Sequence, residues 1–104
     1  MWIIKNRVTG EYERKGQYGK RDRVVRSAWG TLGQAKCHVA NNGFDEWYMD
    51  ADFVEISEPG NGCVRVEPVS DYLREYYGKK RFTPEWLKKR LGLLPKMDRG
   101  AEDV

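Results

Sequence analysis

At 104 residues, with 39% apolar and 34% charged residues and a net charge of +3, the chain has material for one modest core. No apolar run approaches a membrane span, and Met1-Trp-Ile-Ile-Lys5 turns charged too soon for a secretory leader. Two cysteines, Cys37 and Cys63, make no disulfide framework, so the expectation is a cytoplasmic protein with reduced thiols.

The chain opens with a predicted β-hairpin, Trp2–Lys5 against Glu11–Arg14, with Gly10 in a left-handed position at its turn. Alternation puts Trp2 and Ile4 on one face, where Tyr12 is expected to join them. Lys15 to Arg23 reads as an exposed loop and Val24–Trp29 as a third strand. Thr31-Leu-Gly-Gln34 fits a capping box, which predicts a helix from about Leu32 to Ala40 with Leu32, Ala35 and Val39 inward, stopped by Asn41-Asn-Gly43. Phe44–Tyr48 reads as irregular or a short strand. A second hairpin pairs Phe53–Ser57 with Cys63–Glu67 around Glu58-Pro-Gly-Asn-Gly62. Its pattern predicts Ile56 opposite Val64, Val54 opposite Val66 and Glu55 opposite Arg65, with the valines on a buried side.

Two short helices follow. Ser70 is the expected cap of the first, which Gly78 ends; Thr83 is the expected cap of the second, with Pro84 in its first turn. Leu87, Leu91 and Leu94 form its apolar line, Trp86 is expected in the core, and Lys88, Lys89 and Arg90 face solvent. The order predicts an α+β domain over residues 1–95. It has a small antiparallel sheet of about four to five strands, one helix after the third strand and two short C-terminal helices. Residues 96–104 have little to bury and are expected to fray.

Catalytic chemistry has few carriers. The one histidine, His38, sits mid-helix next to Cys37, about 100° away around the axis, with no nucleophile or orienting acid in view. A surface or boundary role is expected for it. Two distant cysteines and one histidine do not make a zinc motif, and Asp45, Glu46, Asp50, Asp52 and Glu55 lack the spacing of a calcium loop. No phosphate loop, dinucleotide fingerprint or nucleophile elbow occurs. The expectation is a protein without enzyme activity, metal or cofactor.

Charge is banded. Residues 1–36 hold nine Lys or Arg against three acids, 45–58 hold six acids and no base, and 76–99 hold eight bases against two acids. The first basic patch is Arg14, Lys15, Lys20, Arg21, Arg23 and Arg26, with Tyr18 placed to stack on a base. The second is Lys79, Lys80, Arg81, Lys88, Lys89 and Arg90. Patches of this kind recruit polyanions by releasing condensed counterions, and the lack of a base-reading arrangement points to phosphate contact rather than sequence readout. DNA or RNA, alone or in a nucleoprotein complex, is the expected partner. The competing reading is a protein-binding surface on Phe44, Asp45, Glu46, Trp47, Tyr48, Asp50 and Asp52, an acidic ground with aromatic anchors suited to a basic, nucleic-acid-binding protein.

Trp2-Ile-Ile-Lys-Asn-Arg-Val-Thr-Gly-Glu-Tyr12, followed by Trp29 and Gly33-Gln-Ala-Lys36, resembles the opening of small uncharacterised phage and prophage proteins, with an N-terminal hairpin and a short alanine-containing helix. The resemblance carries no catalytic residue. It implies a place in the host cytoplasm and favours the second reading in the form of an inhibitor of a host defence system.

Overall fold

The computed structural model describes residues 1–15, 21–57 and 62–93. The chain divides into two compact units, Met1–Tyr72 and Leu73–Val104. The tail 96–104, Leu94, Pro95, Tyr18, Lys20 and most of the turn 58–62 lie outside the described residues.

The first unit is built on an antiparallel sheet of β1 (Trp2–Asn6), β2 (Ala51–Ile56) and β3 (Cys63–Pro68), in the order β1-β2-β3. The α+β class holds, but the sheet has three strands among the described residues rather than four or five. Glu11–Arg14 does return beside β1 after Gly10, whose φ is +77°. The Asn6 amide donates to Glu11 O at 2.8 Å and the Glu13 amide to Ile4 O at 2.9 Å. This register sets Tyr12 opposite Lys5, so Tyr12 lies on the other face from Trp2 and Ile4. Val24–Trp29 forms no strand. One Asp22 carboxylate oxygen accepts the amides of Val24 and Val25 at 2.6 and 2.8 Å, withdrawing both from any ladder. Only Trp29 pairs, as a bridge to Trp2.

The second hairpin keeps two of its three expected pairs, Val54 with Val66 and Glu55 with Arg65. A bulge then sets Ile56 opposite Cys63 instead of Val64. The valine side is not the core side: Val64 and Val66 are 62% and 49% exposed, whereas Ala51 and Phe53 are fully buried. Phe53 pairs with Ile4, and it is this side that is covered.

Helix α1 (Leu32–Asn41) starts with the expected reciprocal capping box of Thr31 and Gln34, and Ala35 and Val39 are its buried residues. Tyr72 meets Phe53 edge-on with ring centroids 6.1 Å apart, and Lys36 of α1 lies 5.4 Å from the Tyr72 ring. These contacts put α1 over the Trp2–Ile4–Phe53 side. Phe44–Tyr48 yields no strand. Instead a 3-10 helix, Glu46–Asp50, begins where the Asp45 side chain accepts the Trp47 amide, and it buries Tyr48 and Met49.

Helix α2 spans Val69–Gly78 and α3 spans Glu85–Leu91. Ser70 is therefore a buried residue inside α2, not its cap. Pro84 is the α3 N-cap, and the Thr83 hydroxyl donates to Tyr77 O at 2.8 Å, fastening the turn to the end of α2. Arg74 Nε reaches Leu91 O at 2.9 Å, and Gly92, at φ +73°, closes α3 in the left-handed conformation. Leu87 and Leu91 are buried as expected, but Trp86 is 62% exposed. No helix among the described residues is long and apolar enough to cross a membrane.

Candidate nucleic-acid interface

Among the described residues, the fold does not gather the first basic band into one patch. Arg21 is withdrawn from it: its Nε donates to Glu13 Oε1 at 2.7 Å and its Nη1 to Asp45 Oδ2 at 3.0 Å. The guanidinium lies 4.3 Å from the Trp47 ring centre, and the side chain is 10% exposed. Burial works against its charge, but the two carboxylates outweigh that and raise its pKa. Lys15 lies 5.3 Å from the Trp29 ring, on the covered side of the sheet, while Arg26 lies 5.6 Å from the Tyr12 ring, on the other. Arg23 Nε donates to Thr9 O at 3.0 Å. Arg14 is half-buried and its charge helps lower the Asp22 carboxyl, chiefly held down by the Val25 and Val24 amides.

Arg21 instead joins a charge cluster around Glu13, a fully buried residue. Its Oε2 accepts the Tyr48 hydroxyl, His38 Nε2–H at 3.0 Å and Asn42 Nδ2–H at 3.3 Å, while Arg21 holds Oε1. Desolvation pushes the Glu13 carboxyl up, but the bonds from His38, Tyr48 and Arg21 bring it below the ordinary carboxylate range. Tyr48 moves the other way: burial and the adjacent carboxylate raise its hydroxyl far above the usual value. Asn42 Nδ2 also donates to Tyr48 Oη at 2.7 Å, and the buried Asn42 Oδ1 has no hydrogen-bond partner. Turning that amide over would set its oxygen against the carboxylate. His38 further packs on Trp29 at 4.9 Å between centroids. Carboxylate, imidazole and phenol in contact could relay a proton, but Glu13 and Tyr48 have no exposed surface to offer a substrate. The cluster ties the 11–14 segment to α1 and the 3-10 helix.

The second band presents its charge outward. Lys79, Lys80, Arg81, Lys89 and Arg90 are exposed and Lys88 is half-buried. Two aromatic side chains stand among them: Phe82 is 87% exposed and Trp86 62%. Arg81 lies 5.6 Å from the Phe82 ring and Lys80 4.6 Å from the Tyr76 ring. A hydrogen bond with Tyr76 is the leading cause holding Lys80 in its charged form. Lys79 meets Glu75 at 3.5 Å, an exposed pair of little strength.

The acidic–aromatic segment is largely engaged within its own unit. Tyr48 is in the core, Asp45 pairs with Arg21, and Asp52 pairs with Arg7 at 2.7 Å. Trp47 is half-buried and donates its indole N–H to Glu11 at 3.0 Å, and Phe44 is half-buried too. Glu46 and Asp50 are exposed. Among the described residues, no three His, Cys, Asp or Glu side chains gather as a metal site would need.

Sequence reasoning missed Phe82, because a phenylalanine beside a helix start reads as core. It missed Glu13 because three of its partners, His38, Asn42 and Tyr48, lie 25 to 35 residues away in the chain. Alternation gave no signal for it, since placing Tyr12 with Trp2 and Ile4 turned Glu13 outward. No family model matches the chain, no curated protein matches it, and no solved structure matches it.

Proposed function

We propose that this is a non-catalytic nucleic-acid-binding protein whose main contact is the basic and aromatic surface of its C-terminal unit. The observation that carries this reading is the pair of exposed rings, Phe82 and Trp86, standing among Lys80, Arg81, Lys89 and Arg90. Exposed cations alone are common on soluble proteins. Large rings kept in water beside them match the needs of a strand whose phosphates seek cations and whose bases seek a flat apolar surface. Lys-Lys-Arg on α3 offers one guanidinium fork, Arg90, and no Asn or Gln beside it, too little to read a base sequence, so binding is sequence-tolerant.

The test is titration of labelled DNA and RNA at two salt concentrations, with wild-type protein and with Lys80→Glu/Lys89→Glu. Binding that weakens with salt, with the slope of log affinity against log salt reduced by about two in the double variant, supports the assignment. An unchanged slope, or no association with either polymer, refutes it.

A further inference from the structure

The sheet of the N-terminal unit has two unlike sides. Trp2, Ile4 and Phe53 lie on the side that α1 and Tyr72 cover. The register runs Lys5 between Tyr12 and Asp52, and Ile3 to Val54 to Val66, across the opposite side. There Ile3 is buried, Val54 is half-buried, Val66 is 49% exposed and Lys5 is exposed. Tyr12 stands on this side with two cations at its ring, Lys5 Nζ at 5.5 Å and the Arg26 guanidinium at 5.6 Å. Beside them opens a cavity of about 450 Å³ lined by Lys5, Arg7, Val8, Thr9, Gly10, Val54 and Asp52, whose carboxylate is taken up by Arg7. Arg7, 49% exposed, is held at its edge by Asp52.

We propose that this open side is a second contact surface and takes a single-stranded nucleic acid, with a base on Tyr12 and the flanking phosphates on Lys5 and Arg26. The proposal rests on the nucleic-acid reading above but assigns it a different site. An antiparallel sheet face carrying an aromatic ring, cations and short aliphatic side chains offers each part of an unpaired strand a partner. The cavity is of the size that holds a small ligand group and its valine wall suits a base or sugar. Tyr12 is half-buried and Lys5 exposed, and a cation–π contact from an exposed ammonium is weak, so a base displaces Lys5 from the open part of the ring and the ammonium moves to the phosphate. A duplex keeps its bases stacked inside and has nothing to place on Tyr12, which makes the surface selective for strands over helices.

The experiment compares labelled single-stranded oligothymidine and oligouridine with a hairpin duplex, using the full chain and the variants Tyr12→Leu, Tyr12→Phe, Lys5→Glu and Lys89→Glu. Expected are preference for at least one of the single strands, a loss of about tenfold with Tyr12→Leu, retention with Tyr12→Phe, and a salt slope lowered by about one with Lys5→Glu. Ultraviolet cross-linking should attach the strand to the peptide containing Tyr12. Should Tyr12→Leu fail to fold by circular dichroism, Lys5→Glu and the cross-link decide. Binding that responds to Lys89→Glu but to no change at Tyr12 or Lys5 overturns this proposal and leaves the C-terminal site standing. A duplex bound as well as both strands also overturns it, and silence from every probe overturns both.

Discussion

The two units use the same contact, a cation against an aromatic ring, to opposite ends. In the N-terminal unit Arg21 lies on Trp47 with 10% of its side chain exposed and two carboxylates in contact. In the C-terminal unit Arg81 lies on Phe82, a ring that is 87% exposed. The first arrangement binds the chain to itself, and the second leaves charge and ring available to something else. The lesson is that a tally of lysines and arginines does not measure available charge. Burial and the nearest carboxylate do.

The comparison breaks most forcefully at Glu13. Glu13→Ala removes the acceptor shared by Arg21, His38, Tyr48 and Asn42, and is expected to cost about 3–5 kcal/mol in urea unfolding. The wild type should show the same cluster in its pH profile. Because the Glu13 carboxyl is lowered on folding, its contribution is full above the unfolded value of about 4.3 and is lost as pH falls through the lower folded value. Tyr48 is raised on folding, so its contribution is full below about 10 and is lost as pH rises beyond that. In Glu13→Gln the acid-side loss should shrink; an unchanged acid limb would show that other carboxylates set it.

Arg21→Ala sharpens the contrast between the units. It should lower stability by about 2–4 kcal/mol, less than Glu13→Ala because the carboxylate keeps its other donors. The salt slope of nucleic-acid binding should stay as in the wild type, and a fall in that slope would mean Arg21 contacts phosphate. The smallest effect is expected at the start of α1. Thr31→Ala removes the cap bond to the Gln34 amide and should cost about 1 kcal/mol by thermal melting, with binding untouched.

Local features were the legible ones. The Thr31 capping box, the left-handed Gly10 and two of three pairs in the β2–β3 hairpin follow from neighbouring residues or from a pattern of alternation. The failures share a cause, which is competition from a single polar side chain or from distant packing. Asp22 captured the amides that a third strand needed. Pairing of Phe53 with Ile4 decided which side of the sheet was inside, against the valine pattern of β3. Of the first basic band, Arg21 was undone by Glu13, eight residues away, and Lys15 and Arg26 were parted by the two sides of a sheet. In the second band the charges were legible, while the exposure of Trp86 was not, since a tryptophan on a leucine-rich helix is ordinarily buried.

The slip that sets Ile56 against Cys63 has a consequence beyond register. β3 ends the sheet, and a bare outer strand invites neighbouring molecules to add themselves and grow into fibres. Here that outer rim is kinked at one end by the bulge, finished at the other by Pro68, which has no N–H to give, and charged between them by Arg65 and Glu67. The irregularity thus leaves the rim of this small, valine-bearing sheet a poor template for a further strand.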